Sequence, residues 1–321
     1  MMPEKDYKLF TTIAALTQKQ LLKTIRHYLQ GKYKKIISTD DYIYATGNIP
    51  ILLVAHMDTV FPTPPTHIYY DQEQSVMWSP NGLGADDRAG VFAILKILQA
   101  GLRPCLLFST DEELGCVGID KFLADYPKCI NKIRYVIQLD RRGSRDCVFY
   151  DCDNKAFAKY IEGFGFRTAL GSFSDISVLC PTWGCAGVNL SVGYYNEHQY
   201  IETLHTNELY DTIDRVKRML TVTDIPIFKY IGKKLYSPIV SAAKKVQCFC
   251  CGAQLMDFEV IPVMYDKEGH THDYCGACCM EHVDWCVNCG KPFENNGYVK
   301  LCYKCREKEN DEEWPEEVTP N

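Results

Sequence analysis

Eight residues spread over the first two thirds of the chain are of the kinds that hold divalent cations: His56, Asp58, Asp86, Asp87, Glu112, Glu113, Asp140 and His205. Two imidazoles with several carboxylates make a donor set suited to a pair of borderline cations such as Zn2+. Carboxylates gathered without cations would repel one another, so metals would supply the missing positive charge. Singly, each residue has a plainer reading. A histidine closing an apolar run, as in ILLVAHMDTVF (51–61), is ordinarily a hydrogen-bonded residue at a strand end. Asp87 reads equally well as a solvated or loop-capping carboxylate.

These residues act together only if the fold brings them to one place. The apolar runs PILLVAH, PCLLFST and RYVIQLD lack alternation, as expected of strands covered on both faces, and KKIIST, YIYATG and GCAGVNLSVGYY read as further strands. One helix is expected over 5–30, where Leu9, Ile13, Leu16, Leu21, Ile25 and Leu29 recur before Gly31. Others are expected at 89–100 after the glycine-rich NGLGADD, at 154–165, and at 208–235 with a kink near Pro226. Strands alternating with helices imply an α/β fold, a mostly parallel sheet sandwiched by helices. In such sheets ligands sit beyond the carboxyl ends of the strands, where His56 and Asp140 fall and just past which Glu112 and Glu113 fall.

The segments HMDTV, GADDRAG, DEELG, QLD and LHTNELYDTID occur in the order and approximate spacing of the co-catalytic zinc peptidases. Over about residues 45–215 the sequence resembles that superfamily, which includes zinc aminopeptidases, tripeptidase-like enzymes and amino-acid deacylases. The resemblance implies roles position by position. His56 would bind one metal, Asp58 would orient it, and Asp86 would bridge two metals. Glu112 would be the general base, with Glu113, Asp140 and His205 the remaining ligands; His198 in YYNEHQY is the alternative to His205. Two co-catalytic divalent cations are implied, with Zn2+ expected and cobalt or manganese able to share the ligands. The implied reaction is hydrolysis of a peptide or amide bond by a metal-bridging hydroxide, with Glu112 taking and returning the proton. Tyr194 or Tyr195 could reach the oxyanion or simply pack. Asp175 in SFSDIS resembles a substrate-pocket loop and equally a helix cap. The intervals from His56 to Asp86 and from Asp140 to His205 are too short for the inserted domains of some relatives, so 1–238 reads as a catalytic unit without a lid.

The 17 cysteines divide unevenly. Those between Cys105 and Cys185 show no paired spacing and read as buried thiols in a reducing compartment. The ten from Cys248 to Cys305 include four C-x-x-C pairs, so 245–307 reads as a small zinc-binding domain, with 308–321 an acidic tail. CFCCG and CVNCGK run into glycine as zinc-ribbon knuckles do, which suggests sequential pairing. Cys248, Cys251, Cys275 and Cys278 would hold one structural Zn2+, and Cys286, Cys289, Cys302 and Cys305 a second. A cross-braced, RING-like alternative would use Cys248, Cys251, Cys279, His282, Cys286, Cys289, Cys302 and Cys305, leaving Cys275 and Cys278 unused.

A net charge of −6 offers no footing for non-specific nucleic-acid binding. No apolar run approaches the roughly 20 residues that span a bilayer. The N-terminus lacks the pattern of a signal peptide, so a cytoplasmic location is expected. The absence of G-x-S-x-G argues against a serine hydrolase. The expected function is therefore a di-zinc hydrolase acting on peptides or N-acyl amino acids. The alternative is a vestigial metal-binding protein whose tail recognises a protein partner. The Glu112–Glu113 pair favours activity, because a vestigial site has no reason to keep a base beside its ligands.

Overall fold

Along the strand that ends at His56, Ile51, Leu53 and Ala55 pack into one hydrophobic layer, and Leu52 and Val54 into the other. Successive side chains of a strand point to opposite faces, so the unbroken apolar run is explained by cover on both sides. The computed structural model describes residues 2–233, 245–256, 260–266, 268, 270–286, 291–294, 301–303 and 305–306. The chain divides into two compact units, Met1–Lys234 and Leu235–Asn321.

In chain order the first unit comprises α1 (Glu4–Ala14), α2 (Gln18–Leu29), β1 (Lys35–Ser38), β2 (Tyr42–Thr46), β3 (Ile49–His56), β4 (Tyr69–Asp71), β5 (Val76–Trp78), α3 (Ala85–Gln99), β6 (Pro104–Ser109), α4 (Val117–Asp125), β7 (Tyr135–Arg141), β8 (Asp146–Val148), α5 (Lys155–Glu162), β9 (Arg167–Thr168), α6 (Asp175–Trp183), β10 (Gly187–Ser191), β11 (Tyr194–Tyr195), β12 (Thr203–His205) and α7 (Thr206–Leu220). The main sheet has eight strands in the order β1-β2-β6-β3-β7-β10-β8-β9, and β11-β12-β5-β4 form a second sheet. β6, β3, β7 and β10 run parallel. The parallel register aligns Val54 with Gln138. His56, two residues further on, ends β3 level with Asp140 near the end of β7 and on the same face.

α3 crosses closely over β7. A β-carbon at Gly90 would overlap the Leu139 carbonyl oxygen and crowd the Asp87 carboxylate, so this turn of GADDRAG requires glycine. Asp86 (φ −82°, ψ 104°) and Asp87 (φ −115°, ψ 39°) have non-helical backbone, and regular helix begins after them.

Two expectations about elements need correction. The single helix over 5–30 is two helices, because Thr17 and Gln20 form a capping box that starts α2. The last helix stops at Leu220, well short of 235. Pro226 disfavours helix at Ile225, and Phe228 and Tyr230 instead donate backbone hydrogen bonds to Arg134 and Gly184. α4, α6 and the strands β4 and β5 also lie where no element is expected from the sequence.

In the second unit, Val260–Met264 pairs antiparallel with Thr271–Cys275, which leads into the short helix Gly276–His282. Lys245–Gln247 pairs with Gln254–Met256, placing Cys248 and Cys251 on the turn between them.

Candidate metal centre

His56 ends β3 with its imidazole buried. Its Nδ1 lies 3.2 Å from Asp58 Oδ1, and its Nε2 lies 3.1 Å from Asp86 Oδ1 and 3.5 Å from Asp140 Oδ1. The other oxygen of Asp86, Oδ2, lies 3.2 Å from His198 Nε2, which is 3.1 Å from Glu113 Oε1. A tetrahedral cation with bonds of about 2.0–2.1 Å separates its ligand atoms by about 3.3 Å. The donors therefore fit two neighbouring cations: His56, Asp86 and Asp140 would hold one, and Asp86, Glu113 and His198 the other.

The electrostatics of the cluster favour the same reading. Burial, then the neighbouring Asp86, raises the Asp140 carboxyl. Burial pushes Glu113 up to about 7 and Glu112 to about 9. The hydrogen bond to Asp86 raises His198 to about 9. Burial alone would raise Asp86 as well, but His198 and His56 hold it well below the usual carboxylate range. Burial therefore penalises the charged carboxylates of Asp140, Glu112 and Glu113, and divalent cations would offset that penalty.

The surrounding contacts fix the donors. Asp58 accepts the backbone N–H of Glu112 at 3.1 Å and of Glu113 at 3.0 Å, so one carboxylate ties the His56 ring to the loop after β6. Gln18 secures that loop from the other side, exchanging hydrogen bonds with Asp111 at 2.8 and 3.1 Å. Asp140 accepts from Gln138 and Ser174 at 3.0 Å and from Tyr194 at 3.2 Å. Ligand atoms of His56, Glu112 and Glu113 lie within 4.8 Å of one another, which puts Glu112 beside the donor cluster.

The family model for Peptidase family M28 matches residues 40–167, which hold four of the five donors above and Glu112. The match covers 128 of the 321 residues, all within the first unit. The fold of the first unit is similar to that of a tripeptidase from Staphylococcus aureus subsp. aureus Mu50, with a TM-score of 0.56 at 15% identity, covering 68% of this chain and 97% of that one. A TET aminopeptidase from the marine sediment archaeon Thaumarchaeota archaeon SCGC AB-539-E09 gives 0.55 at 13% identity, covering 69% and 97%. Aminopeptidase PepT from Bacillus cereus ATCC 10987 gives 0.51 at 15%, covering 67% and 96%. None of the curated proteins matches the sequence.

One expected ligand lies apart from the donor cluster in the first unit. His205 lies elsewhere: it pairs with Val76 across the second sheet, meets the Tyr195 ring at a tilt with centroids 4.7 Å apart and precedes α7. His198 Nε2 lies in the donor cluster instead, 3.2 Å from Asp86 Oδ2. It sits on a turn with φ 63°, an unusual conformation for a residue other than glycine and one found preferentially at working sites. Tyr194 and Tyr195 are not aimed at an oxyanion; the first donates to Asp140 and the second to Glu208. Asp175 is fully buried at the start of α6, where it accepts from the Ser109 hydroxyl, so it lines no substrate pocket. Asp87 is also fully buried. It accepts the backbone N–H groups of Gly90 at 2.9 Å and His56 at 3.3 Å, which makes it a brace between α3 and β3.

Glu202 has no signal in the sequence. It is fully buried, accepting the backbone N–H of Ala85 at 3.0 Å and of Asp86 at 3.2 Å, and so grips the backbone that carries the shared aspartate. Burial pushes its carboxyl up to about 8. The site opens into a cleft of about 360 Å3 that includes Glu112, Asp140, Arg141, Arg142 and His198. A second cavity, about 460 Å3 and walled by Phe61, Pro62, Leu83 and Leu114, borders Glu113 from the other side.

In the second unit the sulfurs of Cys248, Cys251, Cys275 and Cys278 lie within 4.8 Å of one another, as do those of Cys286, Cys302 and Cys305. Tetrahedral zinc with bonds of about 2.3 Å would space its sulfurs by about 3.8 Å, and Cys251 Sγ lies 3.9 Å from Cys275 Sγ. The Cys275 backbone N–H donates to Cys248 Sγ, one of the bonds that favour the Cys248 thiolate, and the Cys278 backbone N–H donates to Cys275 Sγ. Cys289, expected as the fourth ligand of the second group, lies outside the described residues, as does the acidic segment 308–321. Among the described residues no helix is long and apolar enough to cross a membrane.

Proposed function

We propose that the first unit is a di-metal hydrolase of peptide or amide bonds, of the aminopeptidase or small-peptide type. The carrying observation is the Asp86 carboxylate, which turns one oxygen toward His56 and the other toward His198 at near-equal distances. In this reading His56, Asp86, Asp140, Glu113 and His198 hold two cations, with Zn2+ expected. When bound, such a pair acidifies a water to near-neutral pKa and polarises the carbonyl under attack. Glu112, adjacent but outside the ligand set, takes the proton of the attacking water on its carboxylate and delivers it to the leaving nitrogen. Asp58 keeps the His56 proton on Nδ1 and leaves Nε2 free to bind metal.

The second unit, over about 245–307, is a zinc-binding domain in this proposal. Cys248, Cys251, Cys275 and Cys278 hold one structural ion; Cys286, Cys302 and Cys305, with Cys289, hold another. Its exposed Phe249 and Trp285 would serve a protein partner. Zinc thiolates and the unbridged thiols of the first unit suit a reducing, cytoplasmic setting.

The test is turnover of amino-acid amides, di- and tripeptides and N-acyl amino acids after reconstitution with zinc, cobalt or manganese. Hydrolysis that is abolished by a chelator and restored by metal supports the proposal. A protein that binds two metals in the first unit and turns over no member of the panel defeats it.

A further inference from the structure

The cleft holds two guanidinium groups that this chemistry leaves unused. Arg141 is the last residue of β7 and Arg142 follows it, one and two positions after Asp140. Their backbones are fixed, since Val192 donates to the Arg141 carbonyl at 2.8 Å and the Ser191 hydroxyl to the Arg142 carbonyl at 2.7 Å. Their side chains are underused. Arg141 Nη2 donates to the Leu170 carbonyl at 3.1 Å and lies 3.6 Å from Asp146 Oδ2, and its buried Nε has no hydrogen-bond partner. Arg142 Nη1 meets Glu197 Oε1 at 2.8 Å, with the side chain about half exposed. Each guanidinium carries five donors in a fixed fork matched to a carboxylate, so two of them on a rigid strand end form an anion anchor with donors to spare.

We propose that Arg141 and Arg142 bind the C-terminal carboxylate of a short peptide substrate whose scissile bond lies at the metal pair; this rests on the hydrolase reading above. Cα positions one and two residues from Asp140 lie about 4–7 Å from it, and one further substrate residue spans about 3.3–3.6 Å. The anchor therefore stands about one residue beyond the reacting carbonyl on the leaving side, where a dipeptide or tripeptide presents its α-carboxylate. A cleft of about 360 Å3 suits such a substrate. A long chain would have to run past the arginines without offering them a charge.

The test compares leucyl-glycine, leucyl-glycinamide and leucyl-glutamic acid α-amide on the metal-loaded full chain. Charge-assisted hydrogen bonds to a carboxylate predict that kcat/KM favours leucyl-glycine over its carboxamide by about 10–100-fold, mostly through KM. In Arg142→Gln that ratio should collapse toward one with metal content retained, and Arg142→Lys should restore part of it. Arg141→Gln, measured with the same pair, is the second variant. Equal rates for acid and carboxamide in the wild type would overturn the proposal. Cleavage of leucyl-glutamic acid α-amide as fast as leucyl-glycine would overturn the α-carboxylate assignment in favour of a side-chain carboxylate. If no probe is cleaved, the hydrolase reading fails and binding still decides. The uncleavable reduced-amide analogue of leucyl-glycine should then bind at least about tenfold tighter than its carboxamide by calorimetry, and equal affinities would reject the anchor.

Discussion

His198 Nε2 stands 3.2 Å from Asp86 Oδ2, while the His205 ring, seven positions later, meets the Tyr195 ring at a tilt. Loss of a residue that merely orients a metal ligand commonly costs about 10–100-fold in affinity or activity. His198→Ala should therefore cost more than about 100-fold in activity and reduce the metal bound by the first unit from two equivalents to one. His205→Ala should retain both. Elemental analysis of the pair settles the assignment, and the reverse pattern would restore His205 as ligand.

Glu112→Gln keeps every proposed ligand and removes the base. Turnover should fall by about 10²–10⁴-fold with metal stoichiometry unchanged. Wild-type kcat in this variant would assign the proton transfer elsewhere.

Glu202→Ala would leave the buried N–H groups of Ala85 and Asp86 without their acceptor. Each such loss costs about 1–3 kcal/mol, so the denaturation midpoint should fall and metal affinity with it. Glu202→Gln, which keeps one acceptor oxygen, should be milder in both. A variant with unchanged metal affinity would mean that the backbone of Asp86 is held by its neighbours alone.

Asp6 supplies a pH test away from the metals. Burial raises its carboxyl, but hydrogen bonds from Lys96 at 2.9 Å and Tyr210 at 2.6 Å outweigh this and hold it below 3.8. A depressed carboxylate contributes stability that is fully present above its unfolded pKa and is lost as pH falls through the lower folded value. Asp6→Asn should thus be less stable than wild type at pH 7 by about 1.5–3 kcal/mol. The gap should shrink below about pH 4 in urea denaturation of the two metal-free proteins. A gap independent of pH would assign the loss to packing.

The grouping of sulfurs in the second unit predicts how its thiols respond to damage. With Cys302 and Cys305 both changed to Ser, Cys286 should become reactive toward alkylating reagents, while Cys248, Cys251, Cys275 and Cys278 stay protected by metal. Protection of Cys286 in that variant would indicate a cross-braced arrangement.

The sequence alone determined the α/β class, the strand ends that carry His56 and Asp140, and the resemblance running through HMDTV, GADDRAG and DEELG. These are local signals: an unbroken apolar run, a polar residue closing it, and a short motif, each readable within a few positions. Helix punctuation was also locally encoded, since the Thr17–Gln20 capping box divides a pattern whose apolar spacing runs straight through it. Tertiary structure alone decided between His198 and His205. Both are histidines near the entry to α7, and which imidazole faces Asp86 depends on the turn after β11 and on pairing of β12 with a distant strand. The same holds for Glu202, Gln18 and the arginine pair, whose partners lie on other elements. A buried carboxylate gripping backbone 116 positions away has no sequence signature, because its hydrogen bonds are defined only once the chain has closed around them.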